Sequence, residues 1–228
     1  MCAVAYTKIE PRFVIYSVHP IHTKRTNMTA LEYAPNGITI RATQPKEFYE
    51  GNQWHTLNGV RYFVPLTKNE LKECEDKEHC VTSFITDMSY LFRSDSSFNQ
   101  PIGAWDTSRV TDMDSMFAGA TSFNQPIGEW DTRQVANMNW MFFYTTSFNQ
   151  PIGTWDTSQV TNMIGMFYRG ATFNQPIGSW DTSSAKNMRM MFYRATAFNQ
   201  PIGSWDTSQV KIMSSMFREA TSFNQSIG

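Results

Sequence analysis

The sequence predicts a repeat solenoid behind a small β-rich N-terminal cap. The segment 98–122, FNQPIGAWDTSRVTDMDSMFAGATS, recurs every 25 residues without insertion or deletion, and a partial copy occupies 223–228. A fixed period of this length is typical of solenoids, in which each repeat buries its apolar face only against its neighbours. Residues 1–80 show no trace of the repeat. The full repeats begin at Phe98, Phe123, Phe148, Phe173 and Phe198.

Residues 1–80 are expected to form the cap, because a solenoid needs its first coil covered. The β-branched and aromatic run Arg12–Val18 and the alternating run Gly37–Ala42 each predict a strand. Two further runs, Trp54–Leu57 and Val60–Pro65, flank Asn58-Gly59. Because Asn-Gly suits the positive φ angles of a tight turn, these two runs predict a β-hairpin.

The cap is expected to end in a short helix. Thr67 followed by Glu70 has the spacing of a capping box and predicts a helix over about Lys68–His79. The solenoid then occupies 81–228, and a half repeat at 85–97 joins it to the cap. This half repeat carries apolar residues one period before Val110, Met113, Met116 and Phe117, namely Ile85, Met88, Leu91 and Phe92.

One coil is predicted to hold an extended segment and a helical one. Phe98–Trp105 contains Pro and Gly and is expected to be extended. The apolar residues of Val110–Phe117 are spaced i, i+3, i+6, i+7, as on one face of a short helix or 3₁₀ turn. This pair of elements fits a leucine-rich-repeat-like coil. Stacking then places equivalent aromatic residues in two ladders, Phe98, Phe123, Phe148, Phe173 and Phe198, and Trp105, Trp130, Trp155, Trp180 and Trp205.

Two polar residues are constant in the repeat and have structural explanations. The asparagines equivalent to Asn99 are expected to form a ladder that satisfies backbone groups at the corner of each coil. The aspartates equivalent to Asp106 are expected to cap the helical segment that follows them. The alternative for this second column is a row of calcium sites, although the glycine-rich calcium-binding nonapeptide is absent.

The repeat FNQPIGxWDTSxVTxMxxMFxxA resembles that of the BspA-like leucine-rich-repeat surface proteins, a 25-residue form also known from Mycoplasma lipoproteins. The resemblance covers Ile85 to Gly228, and the segment before it is similar to the leader that precedes these repeats. It implies a right-handed solenoid used for adhesion or protein–protein contact, with no catalytic residues to carry over. The sequence departs from the surface members in lacking a signal peptide and lipobox. We therefore expect an intracellular or virion-associated protein rather than a secreted one.

The sequence offers little for catalysis or for metal, cofactor, nucleic-acid or membrane binding. The net charge of −1 does not favour nucleic acid, and no 18-residue apolar run predicts membrane insertion. The fragments His19/His22 and Cys74/His79/Cys80 lack the spacing of a zinc motif. We expect Cys74 and Cys80 to be reduced thiols, a disulfide being the alternative. An enzyme with its site in 1–80 is a distant alternative.

Binding specificity is expected at the positions that vary among the copies, because the constant positions build the solenoid. The variable positions are those of Asp114, Ser115, Ala118 and Gly119, which flank the buried Met116-Phe117. In the later copies they carry aromatic, apolar and arginine side chains of the kind enriched in interface cores. The alternative is that the aromatic rings only cover the boundaries between coils. The predicted partner-binding residues are Trp140, Phe143, Tyr144, Ile164, Tyr168, Arg169, Met190, Tyr193, Arg194 and Arg218.

The sequence therefore predicts a non-enzymatic interaction or assembly protein with a protein partner. The alternative is a cell-surface or virion adhesin that binds a host protein or a carbohydrate, since aromatic and arginine side chains also stack on sugars. The sequence stops at Ser226–Gly228, inside its sixth repeat. This feature predicts either self-association through an open C-terminal coil or a fragment of a longer protein.

Overall fold

The computed structural model describes residues 29–227. The predicted strand Arg12–Val18 and the pair His19/His22 lie outside the described residues. Between residues 29 and 80, the cap contains two small antiparallel sheets. Strands β1 (Leu31–Tyr33) and β2 (Ile40–Ala42) form one, and β3 (Trp54–Leu57) and β4 (Val60–Phe63) form the other; a 3₁₀ turn, Lys46–Phe48, and a helix, α1 (Lys68–Glu73), complete the elements.

The hairpin and the capping box are confirmed. Leu57 pairs with Val60 across Asn58-Gly59, and both turn residues have positive φ, 51° and 84°. The Thr67 hydroxyl accepts a hydrogen bond from the Glu70 amide, while the Glu70 carboxylate accepts one from the Thr67 amide, so two otherwise unpaired N–H groups of the helix start are satisfied.

Helix α1 is shorter than predicted and ends at Glu73 rather than at His79. Cys74 is already extended, and the chain turns back towards β4. The Phe63 amide donates to the His79 carbonyl, and the Val81 amide donates to the Phe63 carbonyl, at 2.8 Å each. Residues 79–81 are therefore held beside β4 and cannot remain in a helix.

Beyond residue 81 the chain forms a stack of 25-residue coils, each hydrogen-bonded to the next. In the first full coil, the amides of Met113, Ser115, Phe117 and Gly119 donate to carbonyls of the following coil, at 2.7–3.0 Å. The same alternate-residue pattern links the later coils, with parallel bridges at Asp112, Asn137, Asn162, Asn187 and Ile212. The half repeat joins the same ladder, since Met88, Tyr90, Phe92 and Ser94 donate to the first full coil.

The prediction of a helical segment in each coil is wrong. Val110–Phe117 forms consecutive turns, in which Met116 donates to Met113 and Ala118 to Ser115. Ser115 and Gly119 have φ of 52° and 77°, which a right-handed helix excludes. The amides of Met113, Ser115 and Phe117 donate to the next coil, and so they are lost to an i→i−4 helical pattern. The predicted extended segment Phe98–Trp105 is likewise irregular, with a turn between Ile102 and Trp105.

The core runs along the inside of the stack and contains the aromatic ladders. Phe98 and Phe123 have ring centroids 5.8 Å apart, and Trp105 and Trp130 are 6.3 Å apart and almost parallel. These spacings recur through the later coils, and a third ladder at the Phe117 position packs between the other two. Repetition of large buried rings at stacking distance stabilises the coils against one another.

Polar ladders accompany the core. The side-chain carbonyl of each asparagine equivalent to Asn99 accepts a hydrogen bond from the backbone amide of its counterpart in the next coil, at 2.9–3.0 Å. The aspartates of the Asp106 column accept from the amide two residues ahead, at 2.9–3.3 Å. Because no helix follows, these carboxylates cap a turn and not the predicted helix.

The cap covers the first coil. The Ile40 amide donates to the Ala104 carbonyl, and the Ala42 amide donates to the Ser83 hydroxyl, at 3.0 Å each. Leu71 of α1 is fully buried in the same apolar cluster as the coils. Strand β2 and α1 thus close the end of the stack that the half repeat begins.

Candidate binding surface

The variable positions of the coils lie together on one side of the stack, on the consecutive turns. We name the resulting set the aromatic–arginine ridge. Its members come from three successive coils and from the Arg218 position of the next. They are Trp140, Phe143, Tyr144, Ile164, Tyr168, Arg169, Met190, Tyr193, Arg194 and Arg218.

The centre of the ridge is a column of stacked rings. Phe143 and Tyr168 have centroids 4.9 Å apart, and Tyr168 and Tyr193 are 4.7 Å apart with only 4° between their planes. The rings therefore do cover the boundaries between coils, as the alternative explanation requires. All three are nevertheless only partly buried, so their outer edges remain accessible to solvent.

Trp140 adds a second aromatic layer and depends on a glycine in the next coil. Its ring lies edge-on to Phe143 and Tyr168, at 5.5 and 5.9 Å. A Cβ atom at Gly165 would lie 1.9 Å from the indole ring. The absence of a side chain at Gly165 therefore provides the space that the indole occupies. Ile164 and Met190 are also only partly buried, and the Ile164 amide donates to the Asn139 side chain at 3.0 Å.

Arginine side chains lie over the tyrosine faces. Arg169 lies between Tyr144 and Tyr168, at 5.8 and 5.7 Å from their centroids. Arg194 and Arg218 both lie over Tyr193, at 5.4 and 5.8 Å. These distances are within the range of cation–π attraction.

The carboxylate of Glu219 pairs with side chains at the Tyr193 end of the ridge. Glu219 accepts from Arg194 at 2.6 Å and from the Tyr193 hydroxyl at 3.1 Å. The hydrogen bond from Arg194 lowers the pKa of the Glu219 carboxyl. Glu219 thus holds the orientation of the Tyr193 and Arg194 side chains at this end of the ridge.

A cleft of about 550 Å³ adjoins the Phe143 end of the ridge. Its floor is formed by the small residues Ser115, Ala118 and Gly119. Every later coil carries a larger side chain at the Ala118 and Gly119 positions. Tyr90, Arg93 and Ser94 form one wall, and Trp140, Phe143 and Tyr144 form the other. Sequence reasoning did not predict this cleft, although the small residues at two positions that are aromatic elsewhere were a visible signal.

Asp114 is the acidic group of the cleft. Its carboxylate accepts from the Ser115 hydroxyl at 2.6 Å and from the Tyr90 hydroxyl at 3.2 Å. The negative charge of Asp114 raises the pKa of the Tyr90 hydroxyl. Arg93 lies over the Tyr90 ring at 5.3 Å, so the cleft contains one cation and one anion.

No metal centre is apparent in residues 29–227, where no three His, Cys, Asp or Glu side chains are grouped to hold an ion. Cys74 and Cys80 are free thiols that both donate to the Asp76 carbonyl, and His79 contacts the Asp76 carboxylate at 2.7 Å. Burial raises the pKa of the Cys80 thiol. Within the same described range, no helix has the length and apolarity needed to cross a bilayer.

Together, the ladders and the recurring turns define a tandem-repeat protein built from stacked 25-residue coils. The chain belongs to the family described as Mycoplasma protein of unknown function, DUF285, whose model matches residues 65–163 and 149–228. The matches cover the end of the cap and all of the coils. The chain matched no curated protein and no solved structure.

Proposed function

We propose that this protein is a non-enzymatic interaction protein that binds a protein partner through the aromatic–arginine ridge. The stack of coils serves in this proposal as a solenoid of the leucine-rich-repeat kind, as in the BspA-like surface proteins that the repeat resembles. The supporting observation is the column Phe143–Tyr168–Tyr193, whose rings are stacked and yet only partly buried. Its residue types are those that contribute most to binding at protein interfaces.

The order of the ridge favours binding, because groups fixed in advance lose less entropy on association. Tyr193 and Arg194 are both held by Glu219, and Arg169 is held between two tyrosine rings. The Nε atom of Arg169 is buried and has no hydrogen-bond partner among the described residues.

The test removes the central column and leaves the fold. In the triple variant Phe143→Ala, Tyr168→Ala and Tyr193→Ala, each side chain becomes the one that the first full coil carries at Ala118. We expect the variant to fold and to lose about 1–3 kcal/mol of stability through its two stacked pairs. We expect capture of the partner from a lysate of the source organism to fall by more than about tenfold.

The matched control is Phe48→Ala, which removes a 52% exposed ring from the cap, away from the ridge. The proposal requires a protein that the wild type and the control enrich equally and the triple variant does not, with the interaction reproduced from purified components. If the folded triple variant captures the same proteins as the wild type, the ridge is only a cover for the coil boundaries and the proposal is wrong.

A further inference from the structure

We propose that the cleft beside the ridge receives one aromatic side chain of the partner protein, a tryptophan or tyrosine whose N–H or O–H bonds to Asp114. This inference rests on the proposed function, since it names the group that the partner inserts. It concerns the cleft floored by Ser115, Ala118 and Gly119, which the stacking of the ridge itself leaves open.

The column of rings ends at Phe143, and one coil without a ring separates it from the opposite wall of the cleft, which the half repeat forms. Tyr193, Tyr168 and Phe143 follow one another at one ring per coil, with centroids 4.7 and 4.9 Å apart. The next position in this column is Ala118, which has no ring, and so the outer face of Phe143 has no stacking partner in the column. A ligand ring placed over Ala118 at the same step would continue the column at a normal stacking distance.

An arginine closes the column at each end. Arg218 follows Tyr193 in the column and lies 5.8 Å from its ring. Arg93 occupies the corresponding position beyond Ala118, two coils from Phe143. Two steps at the spacing of adjacent strands are about 9–10 Å, so a ring midway would lie within cation–π range of the Arg93 guanidinium and within stacking range of Phe143.

Asp114 determines which aromatic side chain the cleft favours. Its carboxylate lies in the wall of the cleft and already accepts from Tyr90 and Ser115. A carboxylate offers about four lone-pair sites, which leaves capacity for one more donor. An indole N–H or a phenol O–H supplies that donor, whereas a phenylalanine ring would leave the acceptor unmatched. The cleft therefore favours tryptophan or tyrosine.

The direct probe is N-acetyl-tryptophanamide, and its binding to the full chain is measured by saturation-transfer NMR. Ala118→Tyr places in the cleft the side chain that Tyr168 and Tyr193 already have in the same column, so we expect a folded protein at least as stable as the wild type. We expect it to lose the saturation transfer to the probe. Arg93→Ala should weaken binding of the probe about two- to fivefold, through loss of one exposed cation–π contact.

The controls distinguish binding of an aromatic ring in the cleft from binding of an aliphatic side chain or a sugar, and from binding elsewhere on the protein. N-acetyl-leucinamide should show no transfer, and Phe48→Ala should bind the probe as the wild type does. The inference is overturned if folded Ala118→Tyr binds the probe normally, or if methyl-β-glucoside shows transfer and the tryptophan probe does not. Partner capture that persists in Ala118→Tyr but falls in the ridge triple variant overturns this inference alone. Capture that persists in both variants overturns the proposed function as well.

Discussion

The glycine at position 165 illustrates how single residues adapt to their neighbours in this stack. The six residues of its column all have φ between 52° and 59°: Tyr90, Ser115, Trp140, Gly165, Met190 and Ser215. A left-handed backbone thus occurs here with five residues that are not glycine. What distinguishes Gly165 is the Trp140 ring, from which a Cβ would be only 1.9 Å away.

The substitution Gly165→Ser tests this explanation, since serine occupies the same column at 115 and 215. We expect it to lower the free energy of unfolding by about 1–3 kcal/mol, because the indole must leave its place. When Gly165→Ser is combined with Trp140→Ser, the indole is absent, and the serine at position 165 should be tolerated. Denaturant unfolding of the two single variants and the double variant gives the coupling free energy between positions 140 and 165. Strictly additive changes in the free energy of unfolding would contradict the steric explanation.

Within one coil, the sequence predicts which residues are buried but not the backbone that buries them. Val110, Met113, Met116 and Phe117 are all fully buried, as their spacing suggests. A helix and a run of i→i+3 turns give the same local apolar pattern. The choice between them depends on where the amides of Met113 and Phe117 find acceptors, and these lie in the next coil. Local periodicity holds no information about such a partner.

The candidate surface was partly predictable for a related reason. Comparison of the copies separates constant from variable positions, and the variable ones do come together on one side of the stack. The stacking of Tyr168 on Tyr193 follows directly from the period. The cleft over Ala118 depends on the height of its walls, Arg93 and Phe143, and becomes apparent only when consecutive coils are seen together.

For the whole molecule, the regular stack predicts that coils are interchangeable. Deletion of residues 173–197 would place Arg218 over Tyr168 and Glu219 beside Arg169, contacts like those that the wild type forms with Tyr193 and Arg194. We expect a folded chain that unfolds cooperatively with a lower free energy, because one coil and one interface are removed. Circular dichroism and thermal unfolding provide the measurement.

The control for this deletion removes 173–196, one residue fewer than the 25-residue period. It shifts every following side chain by one position and moves the aromatic rings out of their ladders. We expect it not to fold cooperatively. Equal stability of the two deletions would show that the register of the coils does not determine the fold.

The central claim is that constant positions hold the fold while variable positions bind, and two adjacent residues of one coil test it most directly. Phe167 is fully buried and stacked at 4.0 Å on Phe173, whereas Tyr168 is partly exposed in the ridge. The measurement is partner affinity together with the free energy of unfolding for Phe167→Ala and Tyr168→Ala. We predict that Phe167→Ala costs about 3–5 kcal/mol of stability and keeps its affinity where it remains folded. Tyr168→Ala should cost about 1–3 kcal/mol through its two stacked pairs and lose affinity by at least about tenfold. Wild-type affinity in Tyr168→Ala, or a loss of stability equal to that of Phe167→Ala, would contradict the claim.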